Sequence, residues 1–263
     1  MWALRATISH VMIEPMRIGI ISDIHANLAA LESVLRAMGP VERLWCLGDV
    51  VGYGPDPNEC IDYLRALPNL EVCLLGNHDA AVIGAASIAD FSAEAQQAVL
   101  WTREQLSACS REFLGARRAF VAHDAEFTLA HASPRDPLWE YITSTDIASE
   151  NFLYFQTPAC FVGHTHVPAI FSLGHPSIVR LQAVRHATHL SLRDALAARR
   201  YILNPGSVGQ PRDSDPRAAY AVLDVETGHV QFQRVAYDIA KTQRRMQAAR
   251  LPAKLISRLE FGW

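Results

Sequence analysis

The feature that most constrains this chain is a series of short apolar runs, each followed directly or after one glycine by an aspartate, an asparagine or a histidine. Runs such as IGIIS at 18–22 and LWCL at 44–47 have the length and residue types of buried β-strands. The carboxyl ends of parallel strands share one edge of an open α/β sheet, and ligands bind at that edge. We therefore expect polar residues that are distant in sequence to meet in one cleft. They are Asp23, His25, Asp49, Asn77, His78, Asp79, His131, His164 and His166.

The first third of the chain alternates between strands and helices. A strand at 18–22 precedes an amphipathic helix from about Asn27 to Met38, and a strand at 44–47 precedes a helix that begins near Pro57. A third strand follows at 71–75, and residues 80–118 have a helical composition. This alternation is typical of βαβ units and of a parallel sheet.

Strands dominate the second half, and the chain ends in helices. The predicted strands are 119–122, 127–130, 159–162, 168–173, 178–184, 201–203, 218–225 and 229–236. Helices are predicted after Asp238 and after Pro252. The pattern indicates two packed sheets flanked by helices within one domain at 16–263. Residues 1–15 lack the apolar core of a signal peptide, and we predict that they form a disordered extension.

Charge, hydropathy and cysteine content exclude several classes of function. A net charge of −3 and a pI near 6.4 give no electrostatic reason for binding nucleic acid or an anionic membrane. No apolar run is long enough to cross a bilayer. The five cysteines contain no CxxC pair, so we expect free thiols in a reducing cytoplasm. The oligomeric state stays open, a homo-oligomer included.

Each polar motif is weak when it is taken alone. Asp23-x-His25 is more often a capped turn than a metal site, and Gly48-Asp49 is a common turn pair. His164 and His166 are a better pair, because alternate residues of an extended segment point to one side. The joint pattern is much stronger, because every motif occupies the carboxyl end of an apolar run.

The motif order resembles the calcineurin-like metallophosphoesterase family. The matching motifs are Asp23-x-His25, Gly48-Asp49, Gly76-Asn77-His78-Asp79, His131 and Gly163-His164-x-His166. The resemblance extends from Ile18 to about Arg212, and the stretches GDVVGYGPDPNEC and NPGSVGQPRD resemble a small prokaryotic single-domain branch. It implies a four-layer α/β/β/α sandwich of two sheets, with two divalent metal ions at the carboxyl ends of the strands.

The same resemblance implies a role for each motif residue. One ion is held by Asp23, His25 and His166, the other by Asn77, His131 and His164, and Asp49 bridges the two. His78 is then the acid that protonates the leaving oxygen. The candidates for binding substrate phosphate are Asn77, Asn204, Gly206, Ser207 and Arg212, although Arg212 is equally well explained as a solvated loop arginine.

The ligand chemistry agrees with these implied roles. Two divalent ions carry four positive charges, whereas Asp23 and Asp49 supply only two negative charges. The site therefore keeps a net positive charge, which suits a phosphate and a hydroxide. A two-metal centre lowers the pKa of bound water from ~15.7 toward ~7, so a metal-bridging hydroxide attacks directly and no protein nucleophile is needed. Carboxylate, imidazole and amide ligands admit manganese, our first expectation, and also Fe, Zn, Co, Ni or Mg.

One departure from the family pattern concerns the neighbourhood of His78. Protein phosphatases of this superfamily carry an acidic residue three places after the bridging aspartate, with an arginine after it. Here those positions are Gly52 and Tyr53. The departure argues against protein phosphatase and symmetrical dinucleoside-tetraphosphatase activity. Asp79 is an alternative partner for His78, but adjacent side chains usually point apart.

The sequence therefore predicts a hydrolase of phosphate mono- or diesters in small molecules or nucleotides. The alternative is a catalytically idle scaffold of the same fold that binds protein partners. Such scaffolds lack the leaving-group histidine, whereas His78 and all seven ligand positions are filled here. The phosphoesterase is thus the leading hypothesis.

Overall fold

A computed structural model describes residues 16–123, 126–193 and 199–263. The predicted extension at 1–15 lies outside the described residues. The strands are β1 (Arg17–Ile21), β2 (Arg43–Cys46), β3 (Leu70–Cys73), β4 (Phe120–His123), β5 (Phe127–Ala130), β6 (Ala159–Phe161), β7 (Ala169–Gly174), β8 (Ile178–Ala183), β9 (Thr188–Ser191), β10 (Arg200–Asn204), β11 (Ala218–Asp224) and β12 (His229–Val235). The helices are α1 (Leu28–Met38), α2 (Pro57–Ala66), α3 (Asn77–Val82), α4 (Ala93–Gln105), α5 (Ala108–Gly115), α6 (Thr145–Asn151), α7 (Ile239–Ala248) and α8 (Ala253–Ser257), with a 3₁₀ turn at Arg258–Glu260.

The strands form two six-stranded mixed sheets. The first has the order β3-β2-β1-β11-β12-β9, in which β1, β2 and β3 are parallel and the other pairs are antiparallel. The second has the order β4-β5-β6-β10-β7-β8, in which β5, β6 and β10 are parallel. The two parallel trios bring the carboxyl ends of β1, β2, β3, β5, β6 and β10 to one edge of the sandwich.

Apolar side chains of both sheets fill the space between them. Ile18 and Ile20 of β1 pack in one cluster with Leu129 of β5 and Phe161 of β6. Alternation along the strand turns Ile21 to the opposite face, where it joins Leu31 and Val34 of α1. Phe152 after α6 packs against the outer face of the second sheet. This arrangement confirms the predicted four-layer α/β/β/α sandwich.

Two elements were absent from the sequence prediction. Helix α6 has seven residues, fewer than two turns, so it offers too short a periodic pattern for recognition. Strand β9 pairs with β12 and carries no buried residue, so it has no apolar run to mark it. No helix among the described residues is long and apolar enough to span a membrane.

Candidate metal centre

Backbone hydrogen bonds join the loops that follow the parallel strands. The amide of Asp23 donates to the carbonyl oxygen of Gly48 at 3.0 Å, and the amide of His25 donates to that of Asp49 at 2.9 Å. The amide of Gly163 donates to the carbonyl oxygen of His131 at 2.7 Å, which ties together the loops after β5 and β6. These bonds fix the positions of the side chains at the sheet edge.

Four of the predicted ligands form a first cluster: Asp23, His25, Asp49 and His166. The Nε2 atoms of His25 and His166 are 3.1 Å apart, and Nε2 of His166 lies 3.5 Å from Oδ1 of Asp23. All four residues are almost completely buried. The cluster therefore concentrates carboxylate and imidazole donors where water cannot compete freely.

A second cluster shares Asp49 with the first and adds His131 and His164. The Nε2 atom of His131 lies 3.5 Å from Oδ2 of Asp49 and 3.2 Å from Oδ1 of Asn77. The structure thus brings together all seven residues that the sequence analysis named as ligands. Asp49 is common to both clusters, and Asn77 lies beside His131 of the second.

The two clusters fit the ions that the fold family implies. Oδ2 of Asp49 is buried without a hydrogen-bond partner, yet it lies 3.6 Å from Nε2 of His25 and 3.5 Å from Nε2 of His131. Bonds of ~2.0–2.2 Å from one ion to nitrogen and oxygen ligands require ligand atoms spaced in this way. A buried acceptor without a donor is costly, and a cation would satisfy it.

Main-chain carbonyl oxygens orient the histidine rings of the clusters. A carbonyl oxygen only accepts hydrogen bonds, so the ring nitrogen beside it carries the proton and the other nitrogen keeps its lone pair. This leaves the lone pair free on Nε2 of His25, His131 and His166, and on Nδ1 of His164. The acceptors are the carbonyls of Val51, Leu47, Gln210 and Trp139, at 2.6–3.2 Å. Such partners are typical of metal-binding histidines.

Five of the seven residues have a left-handed backbone, with φ between 49° and 65°. They are Asp23, His25, Asp49, His164 and His166. A non-glycine residue adopts this conformation at a cost of about 1 kcal/mol or more, and such residues concentrate at functional sites. The loops therefore keep a strained backbone conformation that places the side chains, rather than the conformation of lowest backbone energy.

Glycines precede Asp49 and Asn77, because the loops approach one another closely there. A Cβ atom on Gly76 would lie 2.0 Å from Oδ1 of Asp49. A Cβ atom on Gly48 would lie 2.9 Å from Nδ1 of His131, and Gly48 has a φ of 100°. Only glycine leaves space here for the side chains of the neighbouring loops.

Burial dominates the electrostatics of the clusters. It raises the pKa of Asp23 to about 7 and raises the pKa of Asp49 well above the ordinary value, because desolvation disfavours a charged carboxylate. It lowers the pKa of His25 and His166 well below the ordinary value, and that of His164 to about 2. These three histidines are therefore neutral, the form that binds metals. The charge of Arg212 lowers the pKa of both carboxyl groups but does not offset their desolvation.

The fold and these clusters agree with a comparison of the sequence with protein families. A model of the calcineurin-like phosphoesterase superfamily domain matches residues 16–228. The chain belongs to this superfamily. The protein is accordingly a phosphoric ester hydrolase, as the motif order predicted.

Individual relatives of this phosphoesterase span most of its length. An uncharacterized protein of Methanocaldococcus jannaschii is 35% identical over 251 residues, which are 93% of this chain and 98% of that protein. The crystal structure of a metallophosphoesterase from Sphaerobacter thermophilus is 45% identical, with a TM-score of 0.84 and coverage of 95% of this chain and 100% of that one. A symmetrical bis(5'-nucleosyl)-tetraphosphatase of Pseudomonas fluorescens is 39% identical over 70 residues only, 26% of this chain and 25% of that enzyme.

Asp79 of the phosphoesterase does not pair with His78. Its carboxylate accepts hydrogen bonds from the amides of Val50, Val51 and Gly76, at 2.9–3.2 Å. It therefore clamps the loop after β2 to the loop after β3, a role that the sequence analysis did not identify. The signal was present in retrospect, because an aspartate in the first turn of a helix commonly binds nearby amides.

His78 of the phosphoesterase lies at the edge of the clusters among aromatic rings. Its Nδ1 atom is buried without a hydrogen-bond partner, and burial lowers its pKa well below the ordinary value. The neighbouring cleft, which we call the aromatic cleft, has a volume of about 380 Å³ and also borders Asn77 and His164. Its rings are those of Tyr53, His78, Phe91, Trp139 and Tyr141.

The residues predicted to bind phosphate have different surroundings. Asn204 donates to the carbonyl of Gly163 and to Oγ1 of Thr165, and its own oxygen accepts from the amide of Gly206. Ser207 donates to the carbonyl oxygen of Asp23 and accepts from a backbone amide. Both side chains are thus occupied in supporting the ligand loops. Gly206 has a φ of 84°, and its missing Cβ leaves space for two neighbouring side chains.

Arg212 alone among the loop candidates keeps a charged group close to the clusters. It donates to Oε1 of Gln210 at 3.0 Å and lies 3.4 Å from the hydroxyl of Tyr53, while its Nε is buried without a partner. Its positive charge opposes the rise in the pKa of Asp23 and Asp49 and adds to the lowering of the pKa of His166. The interpretation as a solvated loop arginine therefore does not suit its position.

Proposed function

We propose that the protein hydrolyses phosphate esters of small molecules or nucleotides with two divalent metal ions, manganese being the first candidate. One observation carries this proposal, namely the unpartnered Oδ2 atom of Asp49 between the two clusters. In the proposed division, Asp23, His25 and His166 serve one ion and the remaining ligands serve the other. The five cysteines are free, which suits a reducing compartment such as the cytoplasm.

The ions would supply an activated water molecule and positive charge, and the chain would supply everything else. Asp23 and Asp49 provide the only carboxylates of the clusters, so the centre keeps a net positive charge when both ions are bound. We assign Arg212 to the substrate phosphate, because its buried Nε atom has no hydrogen-bond partner in the described part of the chain. Asn77 borders the aromatic cleft and is the second candidate for that contact.

His78 is proposed to donate a proton to the leaving oxygen. It borders the aromatic cleft and lies close to the clusters, with its ring centroid 5.0 Å from that of His25. Among the described residues Nδ1 of His78 has no hydrogen-bond partner, and Gly52 occupies the position of the family's acidic residue. The negative charge of a bound phosphate would raise the lowered pKa of His78, so the ring would gain a proton where the substrate binds.

The lining of the aromatic cleft favours a leaving group that contains a ring, such as a nucleoside. Tyr53 and Phe91 flank the His78 ring at centroid distances of 4.3 and 4.7 Å. Trp139 and Tyr141 are 38% and 45% exposed, so their rings are available for contact. The short match to a symmetrical tetraphosphatase adds support for nucleotides as a class, although Gly52 and Tyr53 argue against that particular reaction.

A screen of phosphate esters with manganese-loaded protein tests the proposal. The panel includes p-nitrophenyl phosphate, its bis ester, and nucleoside mono-, di- and triphosphates, with and without EDTA. We expect turnover that EDTA abolishes and that manganese restores. The Asp49→Asn variant is expected to lose both bound metal and turnover, as measured by elemental analysis and product release.

Two results would contradict the proposal. Wild-type protein that turns over no ester with Mn, Fe, Zn, Co, Ni or Mg would favour the idle scaffold. Full metal content and full turnover in Asp49→Asn would show that the clusters are not the metal centre. His189→Ala, a change at an exposed position on β9, is the control for nonspecific damage.

A further inference from the structure

A second cavity of about 490 Å³ shares the lining residue Tyr141 with the aromatic cleft. We call it the apolar pocket, and it is formed between strands β7 and β8 and the loops at 141–143 and 165–168. Its apolar lining includes Ile142, Val167, Pro168, Phe171, Leu181 and Ala183, and the charged residues Arg185 and Asp213 also border it. A cavity of this size and character suits an organic group of small-molecule dimensions.

The rim of the apolar pocket carries apolar side chains in contact with water. Leu181 is 50% exposed and Val167 is 36% exposed, whereas Ile142 and Phe171 below them are almost completely buried. Strand β8 is the edge strand of its sheet, and five of its six residues are exposed. Covering an apolar concavity of this kind with a ligand is favourable, because it removes apolar surface from water.

Two residues connect the apolar pocket to the metal centre. Thr165 lines the pocket and stands between His164 and His166 in the chain. Tyr141 lines both cavities and stacks on the His164 ring, with centroids 4.0 Å apart and planes at 25°. A phosphate held at the clusters would therefore have both cavities as neighbours, the aromatic cleft at His164 and the apolar pocket beyond Tyr141 and Thr165.

We infer that the apolar pocket binds a second organic substituent of the phosphate, a nucleoside or a group of similar size, so that the preferred substrates are phosphodiesters rather than monoesters. The inference rests on the proposed function and extends it. The aromatic cleft contains His78, the proposed proton donor, and therefore receives the group that leaves. The apolar pocket receives the group that remains on phosphorus.

The reaction that follows is an ordinary hydrolysis. The oxygen of a water molecule forms a new bond to phosphorus, and the bond from phosphorus to the leaving oxygen breaks. One water proton ends on the leaving alcohol and the other is released or stays on the phosphate. The product in the apolar pocket is then a phosphate monoester that has lost the contacts of the aromatic cleft.

Two chromogenic substrates that differ by one nucleoside test this inference. p-Nitrophenyl phosphate has a single organic group, and thymidine 5'-monophosphate p-nitrophenyl ester has the same leaving group and a nucleoside in addition. We expect the wild-type kcat/KM for the diester to exceed that for the monoester by roughly tenfold or more. In a parallel binding measurement, thymidine 5'-monophosphate should bind more tightly than inorganic phosphate.

The Leu181→Glu variant isolates the contribution of the apolar pocket. Leu181 is half-exposed on an edge strand, so the substitution places a charge at the rim without removing core packing. We expect a loss of roughly tenfold in diester kcat/KM and in thymidine 5'-monophosphate affinity, with p-nitrophenyl phosphate turnover unchanged. Leu100→Glu on α4 is the matched control, since Leu100 is 48% exposed and lines neither cavity. If Leu181→Glu does not fold, Ala183→Phe serves as a second variant, because the larger side chain fills the pocket.

The outcomes separate this inference from the proposed function. Equal wild-type kcat/KM values for the two substrates, or diester kcat/KM values unchanged in both pocket variants, would overturn the inference and leave the phosphoesterase intact. Absence of turnover of both substrates and of every ester in the panel described above would overturn the proposed function. In that case, loss of nucleotide binding in Leu181→Glu would still support a nucleoside pocket, and unchanged binding would refute it.

Discussion

Some residues at the sheet edge are those that we propose to bind ions, and others hold these proposed ligands in place. Asp49 shows the division within one side chain. Its Oδ1 atom accepts a hydrogen bond from the amide of His78 at 2.9 Å, whereas Oδ2 has no partner. One oxygen is thus used to fix the carboxylate, and the other is left for ions. The histidines of the clusters show the same division, because one ring nitrogen of each donates a hydrogen bond to a main-chain carbonyl and the other keeps its lone pair.

His78→Ala tests the proton-donor role at the residue scale. We expect kcat to fall by ~10²–10⁴-fold, the usual contribution of a positioned acid, while both ions stay bound. Elemental analysis gives the metal content and product release gives the rate. Loss of the ions together with activity would instead mean that His78 supports the centre. The control His189→Ala should leave both quantities unchanged.

Gly52→Ala tests the space beside His78. A Cβ atom at Gly52 would lie 2.7 Å from Nδ1 of His78, and Gly52 has a φ of 91°. The alanine must therefore displace the His78 ring, and we expect kcat to fall about tenfold or more with KM little changed. Gly84→Ala is the control, because it also has a positive φ but no atom lies within 4 Å of its added Cβ. Equal kcat in both variants would contradict the steric argument.

Loops are the elements that create the centre, and neighbouring loops support one another. We call the loops after β1, β2 and β3 the first, second and third loops. Backbone hydrogen bonds join the second loop to the first, and Asp79 of the third loop accepts hydrogen bonds from amides of the second. Helix α1 adds another constraint, because its N-cap residue Asn27 donates to the carbonyl of Gly209 and accepts from Thr242 of α7. Precision at the sheet edge therefore depends on elements from both ends of the chain.

Asp79→Ala removes the clamp between the second and third loops. Three buried amides would lose their acceptor, so we expect the free energy of unfolding to decrease by about 2–5 kcal/mol. Metal affinity should also decrease, because the Asp49 loop loses its fixed shape. Denaturant unfolding and metal titration measure the two effects. Asp79→Asn keeps one acceptor oxygen and should lie between the alanine variant and the wild type; an alanine variant as stable as the wild type would refute the clamp.

At the scale of the whole molecule, the sandwich buries carboxyl and imidazole groups, and their desolvation shifts their pKa values. Bound cations would offset the cost of burying the charged carboxylates. Asp23 is completely buried with a pKa raised to about 7, so its protonated form favours the metal-free fold. This stabilisation is complete below the ordinary value of 3.8 and is lost as the pH rises through about 7. The lowered histidine pKa values have the opposite effect, since their contribution is lost as the pH falls below 6.5.

Manganese binding is consequently expected to depend on pH. The ions displace the carboxyl protons below pH 7, so the apparent affinity should increase between pH 6 and pH 8, by up to about tenfold per unit for each proton released. The increase in Tm on adding manganese should be larger at pH 8 than at pH 6. Thermal unfolding at constant ionic strength measures this difference. An increase in Tm that is the same at both values would contradict the prediction.

The sequence by itself determined the sheet architecture and the seven residues that meet at its edge. Apolar runs fix where strands lie, and parallel connections force the ends of those strands together, so the motif positions follow from local patterns. Asp49 could be singled out as common to both groups through the resemblance that the motifs carry. Nothing in that reasoning required knowledge of side-chain contacts.

Only the tertiary structure decided what surrounds these residues. Asn204 and Ser207 support ligand loops because their hydrogen bonds are satisfied internally, and Asp79 binds three amides rather than His78. The aromatic cleft and the apolar pocket combine residues from segments as distant as Tyr53 and Leu181. Hydrogen-bond partners and cavity walls arise from packing between elements far apart in the chain, and such contacts leave no periodic trace in the sequence.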